Sequence, residues 1–365
     1  MADKLRVGII GANVAGWAGR AHMPALAAGI PGVELVAVST TRQESADEAA
    51  AKFGAMQTFT DHREMLEKAD IDVAAVVVRL PLHHELATDV IRAGKHVFVE
   101  WPLGTTTAQA EEIADLADKH SVRTAIGLQS RFTAQYLHMR ALIADGYVGE
   151  VLACNLTQFG SGALGRPASR MWMRDKAAAA NTLHITFAHA IDRLLTPLGP
   201  IDSLSSVVST QTKEWIETES GDRFPVDAPD NVLISGRMKN GAVVSVHVAQ
   251  TAGLPTGHRL EVHGSKGTLV VEGPGLAQSG GAWMRGATEG EKELHPIDVP
   301  QDDWVPAAEL TGSPVDVGKL WKRFAESVRD GEPGFSPDFH DAVVHHKLVD
   351  AIQRASDTGH VQQVG

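Results

Sequence analysis

The chain has 365 residues, enough for two domains of ordinary size. With 43% apolar and 21% charged residues it reads as a soluble globular protein, and no apolar run approaches the roughly 20 residues that cross a bilayer. Its net charge of −12 argues against direct nucleic-acid binding, which needs a basic surface, and leaves a protein partner open.

The opening residues run directly into a strand pattern at 5–10, so no signal peptide is expected. A glycine-rich turn at 11–16 and a helix at 17–28 follow. Strands are predicted at 33–39, 73–78, 96–100 and 124–128, and helices at 44–53, 83–93 and 106–119. Strand and helix alternate, and the strands are apolar on both faces. That pattern specifies a parallel sheet covered by helices on both sides, an α/β Rossmann domain over residues 1–128. After residue 148 the pattern changes. Strands at 151–159, 204–212, 232–238, 242–249, 259–263 and 268–272 are joined by hairpin-like turns at 239–241 and 264–267. They imply an α+β domain over 129–365 with a largely antiparallel open sheet. Helices at 316–330 and 339–355 close the chain and are expected to pack back towards the first domain. The single cysteine, Cys154, lies in an apolar stretch and reads as a core residue in a reducing, cytoplasmic setting.

The turn Gly11-Ala12-Asn13-Val14-Ala15-Gly16 stands between the first strand and the first helix. A dinucleotide turn there has the form G-x-G-x-x-G. Gly11 permits the sharp turn, and Gly16 is expected to permit close packing of helix on strand. Asn13 replaces the middle glycine. Asn tolerates left-handed backbone better than other side chains, so the turn survives, although the amide narrows the approach to a pyrophosphate. Amides at Asn13, Val14 and Ala15 and the positive end of the helix would face the phosphates. At the end of the second strand an NAD-preferring site carries an acid. Here Ser39-Thr40-Thr41-Arg42 offers hydroxyls and a guanidinium, which suit a 2′-phosphate. NADP(H) is therefore expected, with NAD(H) as the alternative; a solvated Arg42 is the structural reading. Leu80, His83, Glu100, Trp101 and Gln129 complete the expected cofactor lining.

The stretch Ala93-Gly94-Lys95-His96-Val97-Phe98-Val99-Glu100-Trp101-Pro102-Leu103 resembles the "aGKHV..EKPl" signature of the Gfo/Idh/MocA oxidoreductases. His83, Gly146–Val151 and Val262–Thr268 match further pieces of that family's pattern. The resemblance covers nearly the whole chain, and it implies an open-sheet second domain that faces the active site and often mediates dimer or tetramer formation. Gly16-Trp17-Ala18, His22-Met23-Pro24-Ala25, Leu128-Gln129-Ser130-Arg131 and Thr186–Asp192 point to the branch that resembles the fungal galactose-pathway repressor, a regulator with this fold.

In the family's enzymes the lysine of E-K-P sits beside the nicotinamide; Trp101 stands at that position here. The family places an aspartate four residues before a histidine; here the histidine is His189 and the aspartate position is Ile185. His189 reads either as general base or as a buried structural histidine. His184 is a compensating candidate, although on an α-helix it lies about 140° around the axis from His189. Trp101, Gln129, Arg131, Trp172 and His184 form the expected substrate set, with core packing as the alternative for the tryptophans. The segment 160–181, with Arg166, Arg170, Arg174 and Lys176, resembles the family's substrate loop and suits an acidic or phosphorylated substrate, or is a solvated surface loop. Adjacent histidines at 83–84 and 345–346 point about 100° apart on a helix, so no metal is expected. Three functions fit: an NAD(P)-dependent oxidoreductase acting on a sugar, polyol or related compound, a silent dinucleotide-bound regulator, and a redox-neutral sugar enzyme using transient oxidation.

Overall fold

The computed structural model describes residues 4–276, 281–300, 304, 310–331 and 334–364. The chain divides into two compact units, Met1–Phe132 with Asp302–Val344, and Thr133–Gln301 with His345–Gly365. Among the described residues no helix is long and apolar enough to cross a membrane.

In the first unit, β1 (Leu5–Ile10), β2 (Val33–Ser39), β3 (Gln57–Phe59), β4 (Val73–Val76), β5 (His96–Val99) and β6 (Thr124–Ile126) form one parallel sheet in the order β3-β2-β1-β4-β5-β6. All four residues of β4 are buried, so both faces of the sheet are covered, as its unbroken apolar run requires. The order reverses between β1 and β4. In such sheets that switch point, at the carboxyl ends of the strands, is where ligands bind.

The helix expected at 17–28 is not one α-helix. It opens with a π-helical turn, Ala18–His22, and continues as the short α1 (Met23–Ala27). A side chain at Gly19 would place its Cβ 2.0 Å from the Val14 carbonyl oxygen, so the widened turn demands glycine there. Helices α2 (Gln43–Phe53), α4 (His83–Arg92) and α5 (Thr107–Lys119) lie where they were expected. β3 and α3 (His62–Lys68) were not predicted. Both are short and polar; α3 is started by Asp61, whose Oδ1 accepts from Arg63 N at 2.7 Å. The later helix α8 (Ser313–Asp330) buries Val317, Leu320, Trp321, Phe324 and Ala325 at helical spacing into the core that holds Ala18, Ala21, Met23 and Phe98.

The second unit is built on nine strands: β7 (Val151–Ser161), β9 (Ile201–Ser209), β12 (Asn231–Met238), β13 (Val243–Thr251), β14 (Gly257–Gly264), β15 (Gly267–Gly273), β16 (Trp283–Thr288), β17 (His295–Pro296) and β18 (Gln362–Gln363). Their order is β17-β16-β15-β14-β7-β13-β12-β9-β18, and only β7 and β13 run parallel. Inward residues of alternate positions, such as Val232, Ile234, Val244, Val246, Leu260 and Val262, meet Tyr136 and Met139 of α6 (Ala134–Ala144). Ile191 and Leu194 of α7 (Ala188–Leu198) and Leu348, Val349 and Ile352 of α9 (Phe339–Thr358) join the same core. A second, three-stranded sheet has the order β11 (Arg223–Pro225), β10 (Glu214–Glu217), β8 (Gly165–Arg166).

Cys154 lies on β7 with its Sγ 3.6 Å from Met238 Sδ, and burial pushes its thiol up to about 12. The folded protein should therefore leave a thiol reagent unreacted at pH 8, and unfolding in guanidinium chloride should release one thiol per chain. Rapid native labelling would contradict this packing.

Candidate functional site

At the switch point Gly11 has φ +87°, and a Cβ there would lie 2.4 Å from Val77 O. Only glycine allows this approach of the β1 turn to the end of β4. The Gly11 and Ala12 amides donate to Ser39 O at 2.9 and 3.2 Å, which ties the turn to the end of β2. Asn13 works differently from the sequence-based expectation. It is not among the residues with positive φ. Its Oδ1 instead accepts from Ala15 N at 2.8 Å, and its carbonyl accepts from Gly16 and Gly19. Asn13 thus replaces a glycine by capping the turn. Gly16 does not serve helix-on-strand packing either: the nearest atoms to a Cβ there belong to Asn13, at 3.3 Å.

The end of β2, where the ribose was expected, is a small hydroxyl network. Thr40 Oγ1 and Ser45 Oγ both donate to Arg42 O, at 2.7 and 3.0 Å, and Arg42 N donates to Thr40 Oγ1. This holds the start of α2. Ser39 is buried, while Thr41 and Arg42 are exposed.

Five of the expected cofactor-lining residues follow the ends of β4, β5 and β6. Leu80 is buried in a short turn after β4. His83 is 2% exposed; its Nδ1 lies 2.7 Å from Pro102 O and its Nε2 3.2 Å from Val78 O. Burial lowers its pKa, so the ring is neutral and the shorter contact places its hydrogen on Nδ1. The neutral ring can donate to one carbonyl only, so Nδ1 donates to Pro102 O and Nε2 is left as an acceptor beside Val78 O. Trp101 is buried, and the Trp101–Pro102 peptide is cis. The Glu100 carboxylate turns inward, its Oε1 2.7 Å from His22 Nε2. Gln129 is 1% exposed and its Oε1 has no partner in the protein. A buried acceptor of this kind at the ligand edge of the sheet calls for an outside donor. Arg131, expected at the substrate, gives Nη1 to Ser336 Oγ at 2.6 Å, and Ser336 in turn donates to Asp341. Its guanidinium organises that loop within the first unit.

In the second unit, His184 lies in a π-helical turn, Thr182–Phe187, that runs into α7. The angle counted for an α-helix therefore does not apply to it. Asn181 Oδ1 caps this turn, 3.2 Å from His184 N and 3.0 Å from His184 Nδ1. Burial, with a smaller contribution from Lys176 and against Asp350, pushes His184 down to about 4. Its imidazole is therefore neutral at neutral pH. His189 is buried in the first turn of α7. Asp192 follows one turn later, its Oδ1 3.0 Å from His345 Nε2 of α9, with both side chains almost fully buried. His346, beside His184 and His345, is pushed by burial to about 3.

The basic loop also differs from expectation. Arg166 stacks on Trp215 at 4.6 Å and Arg174 on Phe224 at 5.4 Å, and Arg166 Nη2 donates to Gln250 Oε1. These two cations brace the three-stranded sheet. Trp172 is half-buried, and Arg170 and Lys176 are exposed. Among the described residues no group of three or more His, Cys, Asp or Glu side chains is arranged to hold a metal. The sequence reading missed His22, Trp321 and the Asp192–His345 pair; the His22-Met23-Pro24 stretch was the available signal for the first.

The family model for the oxidoreductase family with an NAD-binding Rossmann fold matches residues 5–128, and that for the Gal80p C-terminal domain matches residues 135–273. The chain is 30% identical over 252 residues to the dehydrogenase aclE of Aspergillus oryzae, covering 67% of this chain and 69% of that protein. It is 28% identical over 295 residues to the galactose/lactose metabolism regulatory protein GAL80 of Saccharomyces cerevisiae, covering 74% and 67%. A levoglucosan dehydrogenase structure with NADH and L-sorbose shares the fold at a TM-score of 0.86 and 24% identity, covering 100% of this chain and 99% of that one.

Three histidines give the second unit a defined acid response. His184 and His258 are held at about 4 and His346 at about 3, against 6.5 when unfolded. Their contribution to stability is complete above pH 6.5 and falls as pH drops towards 4, because the unfolded chain binds the protons first. Over that window the unfolding free energy should fall by up to about 4 kcal/mol per pH unit from these groups together. Urea midpoints from pH 7 to 4.5 measure it; a flat profile would contradict the assignment.

Proposed function

Because the chain belongs to the Gfo/Idh/MocA family of NAD-binding oxidoreductases, we propose that it transfers hydride between a nicotinamide dinucleotide and a CH–OH or C=O carbon of a sugar, polyol or related small molecule. The observation that carries this reading is the Gly11 turn at the switch point of the parallel sheet, where no side chain fits. The residues present suit a dinucleotide. Gly11 to Ala15 would hold the pyrophosphate at the start of the first helix, Leu80 would pack against the dinucleotide, and the unpartnered Gln129 Oε1 would accept from a ligand amide. When bound, the nicotinamide supplies the acceptor or donor of the hydride.

His189 is the base in this reading. In the oxidative direction the carbinol C–H bond breaks with loss of a hydride, and the hydroxyl proton passes to the His189 imidazole. Trp101 shapes the pocket and cannot take up a proton. Thr40, Thr41 and the exposed Arg42 favour NADP(H), since no acid stands there to repel a 2′-phosphate. Trp172 is the remaining proposed substrate contact. Homodimers or homotetramers fit the open face of the second sheet, where Val207, Leu233, Val243 and Trp283 are 57%, 41%, 55% and 49% exposed on one side. The proposed setting is the cytoplasm.

One observation favours a second reading. The buried Trp101 replaces the charged residue of the family signature, and the second unit matches the Gal80p C-terminal domain. A dinucleotide-bound regulator with a protein partner would share the fold without the chemistry.

Cofactor reduction with a panel of sugars and polyols separates the two readings. Catalysis predicts turnover that falls about 10²- to 10⁴-fold in His189→Ala with the protein still folded. Absence of turnover, together with dinucleotide-dependent capture of a defined partner, supports the regulator. Arg42→Asp should weaken NADPH binding about tenfold or more and leave NADH binding within about threefold. Equal effects on both cofactors would remove Arg42 from the 2′-phosphate site.

A further inference from the structure

We propose that His22 and Trp321 are positioning residues for the dinucleotide site, acting through Glu100. The proposal rests on reading the carboxyl edge of the first sheet as that site. It starts from hydrogen-bond logic. The Trp321 indole can only donate, and its Nε1 lies 3.1 Å from His22 Nδ1. His22 Nδ1 therefore accepts, its ring hydrogen sits on Nε2, and Nε2 donates to Glu100 Oε1 at 2.7 Å. One donor on α8 thus fixes the tautomer that holds a carboxylate at the end of β5.

Packing leaves this chain little freedom. His22 and Trp321 are fully buried. Phe98 of β5 meets the His22 ring edge-on at 5.1 Å and stacks on Trp321 at 4.7 Å. The Glu100 carboxylate also packs on Gly127, where a Cβ would lie 2.6 Å from Oε1. The carboxylate is therefore held by a histidine donor and fits only because residue 127 is a bare glycine. Without that donor a buried carboxylate must turn to water. Such a turn would drag the corner that carries Trp101 and the Pro102 carbonyl, to which His83 Nδ1 donates. His22 and Glu100 are 78 residues apart and His22 and Trp321 are 299 apart, so the corner is set by three distant parts of the chain.

The test is a double-mutant cycle on the full chain, read by NADH and NADPH dissociation constants and by melting of the cofactor-free protein. His22→Phe keeps a ring of similar size and removes both hydrogen bonds; it should weaken the preferred cofactor about tenfold or more. In His22→Gln the side-chain carbonyl can accept from the indole and the amide can donate to Glu100; it should stay within about threefold. If His22 acts through Glu100, adding His22→Phe to Glu100→Gln should cost little beyond Glu100→Gln alone. Unchanged binding in His22→Phe, absence of rescue by His22→Gln, or simple addition of the two losses would overturn the proposal. Should His22→Phe not fold, Trp321→Phe removes the indole donor and keeps a stacked ring; it should weaken binding about threefold, and wild-type affinity would overturn the proposal. Wild-type protein that binds neither dinucleotide would defeat the functional reading. The melting cycle would then still decide the pairing: coupled losses support it and additive losses refute it.

Discussion

The first unit depends on a contact that admits no side chain, the approach of Gly11 to the carbonyl of Val77. It brings the end of β1 against the end of β4, where the strand order reverses. The same turn returns two amides to the Ser39 carbonyl and so aligns the end of β2. Three strand ends are thereby fixed on one edge, and a crevice for an extended ligand follows from the topology. Asn13 then closes the turn with its own side chain instead of an unusual backbone conformation.

Around that edge most polar side chains are committed to the protein itself. His83 donates to the Pro102 carbonyl, Glu100 accepts from His22, and Arg131 donates to Ser336 of the 336–341 loop. The arrangement is stiff: each group fixes its neighbour, and the unpartnered Gln129 Oε1 stands apart as an acceptor still to be satisfied. Trp101 sits among them without a charge. The family's enzymes and its regulators can be built on such a frame, and the difference rests on whether the site moves a proton. His189 of the second unit is the proposed base.

The sequence revealed the fold well because its signals are local or periodic. β1, β4 and β5 are short runs buried on both faces, and α8 repeats its apolar residues at helical spacing. What stayed hidden depends on distant partners. The π-helical turn at Ala18–His22 follows from the collision of Gly19 with Val14, which no propensity scale records. Arg166 and Arg174 looked like substrate-binding cations until Trp215 and Phe224 appeared beneath them. Arg131 meets a serine 205 residues away. Asn13 was recognised as a substitution in the turn, but its means of compensation needed side-chain geometry.

The central claim is that a dinucleotide lies on the Gly11 turn with its ribose end towards Arg42. A crystal structure of the chain grown with NADPH tests this most directly. The account predicts a pyrophosphate over the Gly11 turn and a 2′-phosphate within hydrogen-bonding reach of Arg42. A dinucleotide bound elsewhere, or a turn left empty at saturating cofactor, would contradict it.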